Sequence, residues 1–194
     1  MGAPDPTDEI EPRLVDAAHR TIERHGWHDT TLERIAAEAG VSRMTLHRHR
    51  VSRQTLLRAL AGRLERQHRE AMLEVLAGPG SGRERLGRAM AAECEVTERN
   101  LNLAETLGTA ARDAIYHEDG LPALSRAAFT APYRRLLEDG VADGSLRTTD
   151  PDQMATVLIN LVTHTYGHLR RGHAWDPERA RNAVCSTALD GVSA

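Results

Sequence analysis

A chain of 194 residues, 40% of them hydrophobic, has room for a small module plus a larger domain and is too apolar to be a disordered tail. No apolar run approaches the ~20 residues that span a bilayer. A 3% aromatic content argues against stacking platforms for single-stranded nucleic acid, and the distant Cys94 and Cys185 lack zinc-site spacing. The net charge of −3 excludes polyanion binding by bulk electrostatics alone.

In chain order, residues 1–8 are polar and proline-bearing and read as a leader without the features of a signal peptide, pointing to a reduced, cytoplasmic protein. Ile10, Leu14, Ala17, Ala18 and Ile22 recur at helical spacing and predict a first helix that ends at Gly26. A second helix carries Leu32, Ile35, Ala36 and Ala39, with Thr30 and Glu33 as its expected capping box and Gly40 as its stop. Ser42 caps a short third helix, and Ser52 a long fourth one running to about Leu76. Gly78 to Gly82 is the clearest linker. Helices are then expected over about 83–100, within the less regular 101–120, and over 122–143, where Pro132 predicts a kink or break. Asp150-Pro151 and Asp176-Pro177 each combine an N-cap with a proline at the first helical position, and so start the last two helices. There is no strand alternation and no repeat. The fold class is therefore all-α: a leader (1–8), a small helical domain (9–56) and a larger helical domain (57–194).

Function concentrates between Val41 and Arg58, where Arg43, Arg48, Arg50, Arg53 and Arg58 occur with no acidic residue. Here two short helices must cross closely. Ala36 supplies a small contact residue, Gly40 a turn with positive φ, and Val41 and Leu46 point inward. The outer face of the third helix then offers Arg43, Met44, Thr45, His47 and Arg48 to base edges and phosphates. Arg43 is the expected base reader, because a guanidinium can grip guanine at two atoms. Met44 is of a size to touch a thymine methyl.

Residues 10–57 resemble the N-terminal domain of TetR-type repressors. The resemblance rests on Gly26-Trp27, Thr30-Thr31, Leu32, Ile35-Ala36, Ala39-Gly40-Val41-Ser42, Thr45-Leu46, His49 and Ser52-Arg53, in that order. It implies a helix-turn-helix on duplex operator DNA, with Thr31, Ser42, Thr45, His47, His49 and Arg53 among the residues that position the backbone. It also implies a homodimer released by a small-molecule effector. Two positions depart from the family pattern: His47 stands where tyrosine is usual, and Arg50 where a core phenylalanine is usual. Either Val51 turns inward in its place, or Arg50 snorkels outward to a phosphate, which is the preferred expectation.

The remaining expectations concern the larger domain. Leu158, Leu161, Leu169, Val184 and Ala188 are assigned to a dimer face on the last two helices. Met90, Cys94 and Leu107 are assigned to the wall of an effector pocket, with Tyr116, His117, Asn160 and His164 as polar anchors. Tyr166 lies roughly 200° around the helix from His164, so at most one of that pair lines the pocket, and His164 is preferred. His164 and His168, four apart, could chelate a metal with His117, which leaves a metal sensor or a histidine-dependent helical enzyme as alternatives. No glycine-rich phosphate loop, HExxH or nucleophile elbow is present, so neither an enzyme nor a bound cofactor is expected.

Overall fold

The computed structural model describes residues 12–107 and 126–193. They form α1 (Pro12–His25), α2 (Leu32–Ala39), α3 (Arg43–Arg48), α4 (Arg53–Ala77) and α5 (Gly82–Arg99). A helical stretch at 101–107 (α6) follows, then α7 (Arg126–Ala142), α8 (Pro151–Gly172) and α9 (Pro177–Val192). Among the described residues the only β-type pairing is a single bridge between Leu146 and Ser193.

The chain divides into two compact units. Of the described residues, 12–64 and 100–107 belong to the first; residues 65–99 and 126–193 belong to the second. The expected boundary at 56/57 lies inside α4, which is continuous from Arg53 to Ala77.

In the first unit, α1 packs on α2 and α2 on α3. Leu14, Ala17, Ala18 and Ile22 line one face of α1 and are buried with Ile35, Ala36, Leu46, Leu56 and Leu60. The cap of α2 differs from expectation: it is Thr31, not Thr30. Thr31 has extended backbone angles and its hydroxyl accepts from the Arg34 N–H at 3.2 Å. Thr30 is fully buried and turns its hydroxyl back onto the Gly26 carbonyl at 2.7 Å. Residues of α6 join this unit through Glu23, whose carboxylate accepts from the backbone N–H groups of Asn102 and Leu103.

In the second unit, α5, α7, α8 and α9 pack on one another. A Cβ on Gly82 would come within 2.3 Å of the Gly140 backbone, so the contact of α5 with α7 requires glycine there. The helix expected over 122–143 begins at Arg126 within the described residues, and it is not broken at Pro132. Proline removes the N–H that the Ala128 carbonyl would otherwise receive, but burial of Tyr133, Leu136 and Leu137 holds the helix on its neighbours. Both Asp-Pro starts hold: Asp150 accepts from the Gln153 N–H and Asp176 from the Arg179 N–H, each at 2.9 Å.

Candidate nucleic-acid interface

The turn between α2 and α3 is built on Gly40, at φ 67° and ψ 32°. Its N–H reaches the carbonyls of Ala36 and Ala37, and the Val41 N–H donates to the Ala36 carbonyl at 2.9 Å. Ser42 then caps α3, accepting from the Thr45 N–H at 3.1 Å, while its hydroxyl lies 3.0 Å from that of Thr45. Leu46 is the buried residue of this six-residue helix, which is about 9 Å long. With the inner face committed to Leu46, the outer face stands free: Arg43, Met44, His47, Arg48 and His49 are all exposed, Met44 by 81%.

Arg43, the expected base reader, contacts the Glu33 carboxylate at 2.7 Å across the turn. Hydrogen bonds from its own backbone N–H and from Thr31, and then the Arg43 charge, hold the Glu33 carboxyl below its ordinary range. Thr31 and Ser42 serve as caps, and Thr45 is half-buried.

The departure at position 50 is accommodated together with its neighbour at 51. Val51 is buried and Arg50 exposed, its backbone in the left-handed region at φ 51°. The chain reverses at Arg50, and the branched side chain after it takes the core position.

Arg53, expected among the residues that position the DNA backbone, is engaged within the protein. Its guanidinium donates to the Trp27 carbonyl at 2.7 Å and lies 4.2 Å from the centre of the Trp27 ring. The side chain that begins α4 therefore ties that helix to the end of α1, which makes it a packing element of the small unit.

The larger unit corrects several assignments. Leu158, Val184 and Ala188 are buried within this one chain, because each lies on the helix face turned to the other helices of its own unit. They are therefore not free to meet a partner. Leu161, 36% exposed, and Leu169, half-buried, lie nearer the outside, and Val157, 51% exposed, joins Leu161 on α8. Asn160 and His164 are exposed and share this outer face, so they do not anchor an interior pocket; the Asn160 amide donates to the Thr156 carbonyl at 2.7 Å. The inward member of the pair is Tyr166. It is buried, and its hydroxyl donates to Glu98 at 2.8 Å beside Arg170.

Met90, Cys94 and Leu107 are buried. Tyr116 and His117 lie outside the described residues. His168 is exposed and its ring meets that of His173 edge-on at 5.0 Å. Among the described residues, no group of three or more His, Cys, Asp or Glu side chains is arranged to hold a metal ion.

A buried polar group in the second unit was not anticipated. His68 Nδ1 lies 2.6 Å from Glu93 Oε2, with both residues essentially inaccessible, and the hydroxyl of the fully buried Tyr133 has no protein partner. A signal for His68 was present: it interrupts the stripe Leu56, Leu60, Leu64, Met72 on α4, where helical spacing calls for an apolar residue.

Residues 14–60 match the family model of bacterial regulatory proteins of the tetR family. No curated protein matches the chain. Among solved structures, a Rhodococcus sp. protein named for the TetR family of transcriptional regulators has 23% identity and a TM-score of 0.74, over 96% of this chain and 98% of its own. The TetR/AcrR-family regulator of Thermobifida fusca has 21% identity and a TM-score of 0.67, over 92% and 96%. PfmR, a TetR-family regulator from Thermus thermophilus, has 19% identity and a TM-score of 0.68, over 92% and 95%. At these identities the likeness is one of fold.

Proposed function

Because the chain carries a TetR-family DNA-binding domain on a TetR-like fold, we propose that it is a transcriptional repressor that binds a palindromic operator as a homodimer and releases it on binding a small-molecule effector. The observation that carries the DNA-binding part is the division of α3: Leu46 is buried, while Arg43, Met44, His47 and Arg48 are exposed. Donors on a short, capped helix after a tight glycine turn suit base edges in a major groove, with His49 and Arg50 beside them for phosphates.

Pairing through the outer face of α8 is supported by Val157 and Leu161, large apolar side chains exposed on one face of a well-packed helix. A symmetric dimer reads two half-sites and gains affinity from the second through linkage to the first. The same two-fold symmetry would make the operator palindromic. Effector release then requires a ligand that binds better to the state with the wrong spacing of recognition helices. Among the described residues no helix is long and apolar enough to cross a membrane.

Selection of bound duplexes from a random DNA pool tests this reading. Recovered sequences should share an inverted repeat, and affinity should fall steeply with salt as counterions are released. Recovery of no common sequence, together with salt-insensitive binding, would overturn it.

A further inference from the structure

We infer that the second unit holds, between α4, α5 and α7, a binding site for an uncharged, mainly apolar molecule bearing a hydroxyl group, which His68 and Tyr133 grip by hydrogen bonds. This rests on the effector-responsive reading above and gives that effector a chemical class.

The argument begins with two polar atoms in the wrong place. His68 is 0% exposed and stands in an apolar stripe of α4. Its Nδ1 is used, donating to Glu93 Oε2 at 2.6 Å, but its Nε2 is buried with no hydrogen-bond partner in the protein. The Tyr133 hydroxyl is in the same condition. Each unpaired buried group of this kind destabilises the fold. Leucine and phenylalanine would fill the same places without that cost.

These groups belong to one locality. The Phe129 ring packs on the His68 ring at a centroid distance of 4.6 Å. Phe129 is one turn from Tyr133 on the same face of α7. The Tyr133 phenol is pushed well up, first by burial and then by the negative charge of Glu93, so it is a neutral O–H group and close enough to Glu93 to feel it. Met72, Met90 and Leu136, each a turn from one of the three polar residues, are fully buried and supply apolar, adaptable surroundings.

The charges select the ligand class. Glu93, 3% exposed, opposes a carboxylate or phosphate ligand in so dry a place. An ammonium would have to be desolvated against a carboxylate already engaged by His68. A neutral hydroxyl meets neither obstacle. It can accept from Tyr133 and donate to the lone pair that a neutral imidazole keeps on Nε2, whereas a carbonyl oxygen has no proton to offer there.

The test uses the full chain without DNA. Two matched sets serve as probes: octanol, octanoate and octylammonium, and phenol, benzoate and benzylammonium. Melting temperature and titration calorimetry are read up to millimolar probe. Neutral members should raise the melting temperature by mass action, and their charged counterparts should not. Tyr133→Phe should leave the unliganded melting temperature equal or higher, because an unsatisfied group is removed. It should weaken binding of the neutral probes about fivefold to tenfold. Best binding by a charged member, no shift with either neutral probe, or a lower unliganded melting temperature in Tyr133→Phe would overturn the inference. Operator binding is measured separately on the wild-type chain, so failure here leaves the DNA-binding reading standing, and failure there leaves this site standing.

Discussion

Replacing Arg53 by alanine separates two physical roles for one cation. If the side chain met only phosphate, its loss would weaken DNA binding, flatten the salt slope by about one unit and spare stability. The structure instead has the guanidinium donating to the Trp27 carbonyl at 2.7 Å and stacked 4.2 Å from the Trp27 ring. A charge-assisted hydrogen bond contributes about 1.5–3 kcal/mol, and a cation over an indole at a partly exposed site about 0.5–1 kcal/mol. Against this, Arg53 Nε is buried and unpaired, and its removal returns about 1 kcal/mol. The net loss is about 2 kcal/mol, which for a chain of this size lowers the melting temperature by about 4–8 °C. Thermal unfolding followed by circular dichroism reads the shift. Arg53→Lys should recover little of it, since an ammonium cannot both reach the carbonyl and lie flat on the ring. A wild-type melting temperature in Arg53→Ala, with a salt slope reduced by one, would refute the anchoring argument and restore the phosphate assignment.

Arg43→Ala and Arg48→Ala remove exposed side chains and should reduce operator affinity with melting temperature unchanged; unchanged affinity in both, by fluorescence anisotropy, would clear this face of DNA contact. Leu161→Glu places a charge beside exposed Val157 and should give monomers in sedimentation together with loss of tight operator binding; a dimeric mutant moves the interface elsewhere. For pH, the Glu98 carboxyl is held below its ordinary 4.5 chiefly by Arg170, so its contribution is complete above that value and is lost as pH falls through the lowered one. Glu98→Gln should therefore lower the melting temperature at neutral pH and make its fall below about pH 4.5 shallower, and an unchanged acid limb would count against the pairing.

The helices were legible because their periodicity and their stops are local. Gly26 and Gly40 end α1 and α2 with positive φ, and the two Asp-Pro starts cap α8 and α9 as expected. Where adjacent residues compete for one role, sequence alone does not decide. Thr30 and Thr31 are both good caps, and the winner depends on which hydroxyl is drawn back to the Gly26 carbonyl. Pro132 is the opposite case. Its local rule is correct, but burial of the residues that follow it outweighs one missing hydrogen bond.

The exposed residues of α3 could be read because they follow from a single geometry: once Leu46 is placed inside, the rest of a six-residue helix is assigned by rotation. Interior polar residues follow no such rule. On α8, His164 and Tyr166 are equally polar by name. Facing was settled by a partner far away in sequence, Glu98, which accepts the Tyr166 hydroxyl and the Arg170 guanidinium together. The His68–Glu93 pair is of the same kind, joining residues of α4 and α5 that share no motif. What sequence can offer is the anomaly itself, a histidine where the stripe asks for leucine. An anomaly of that sort marks a place where packing energy has been given up, and the two unpaired atoms there indicate for what.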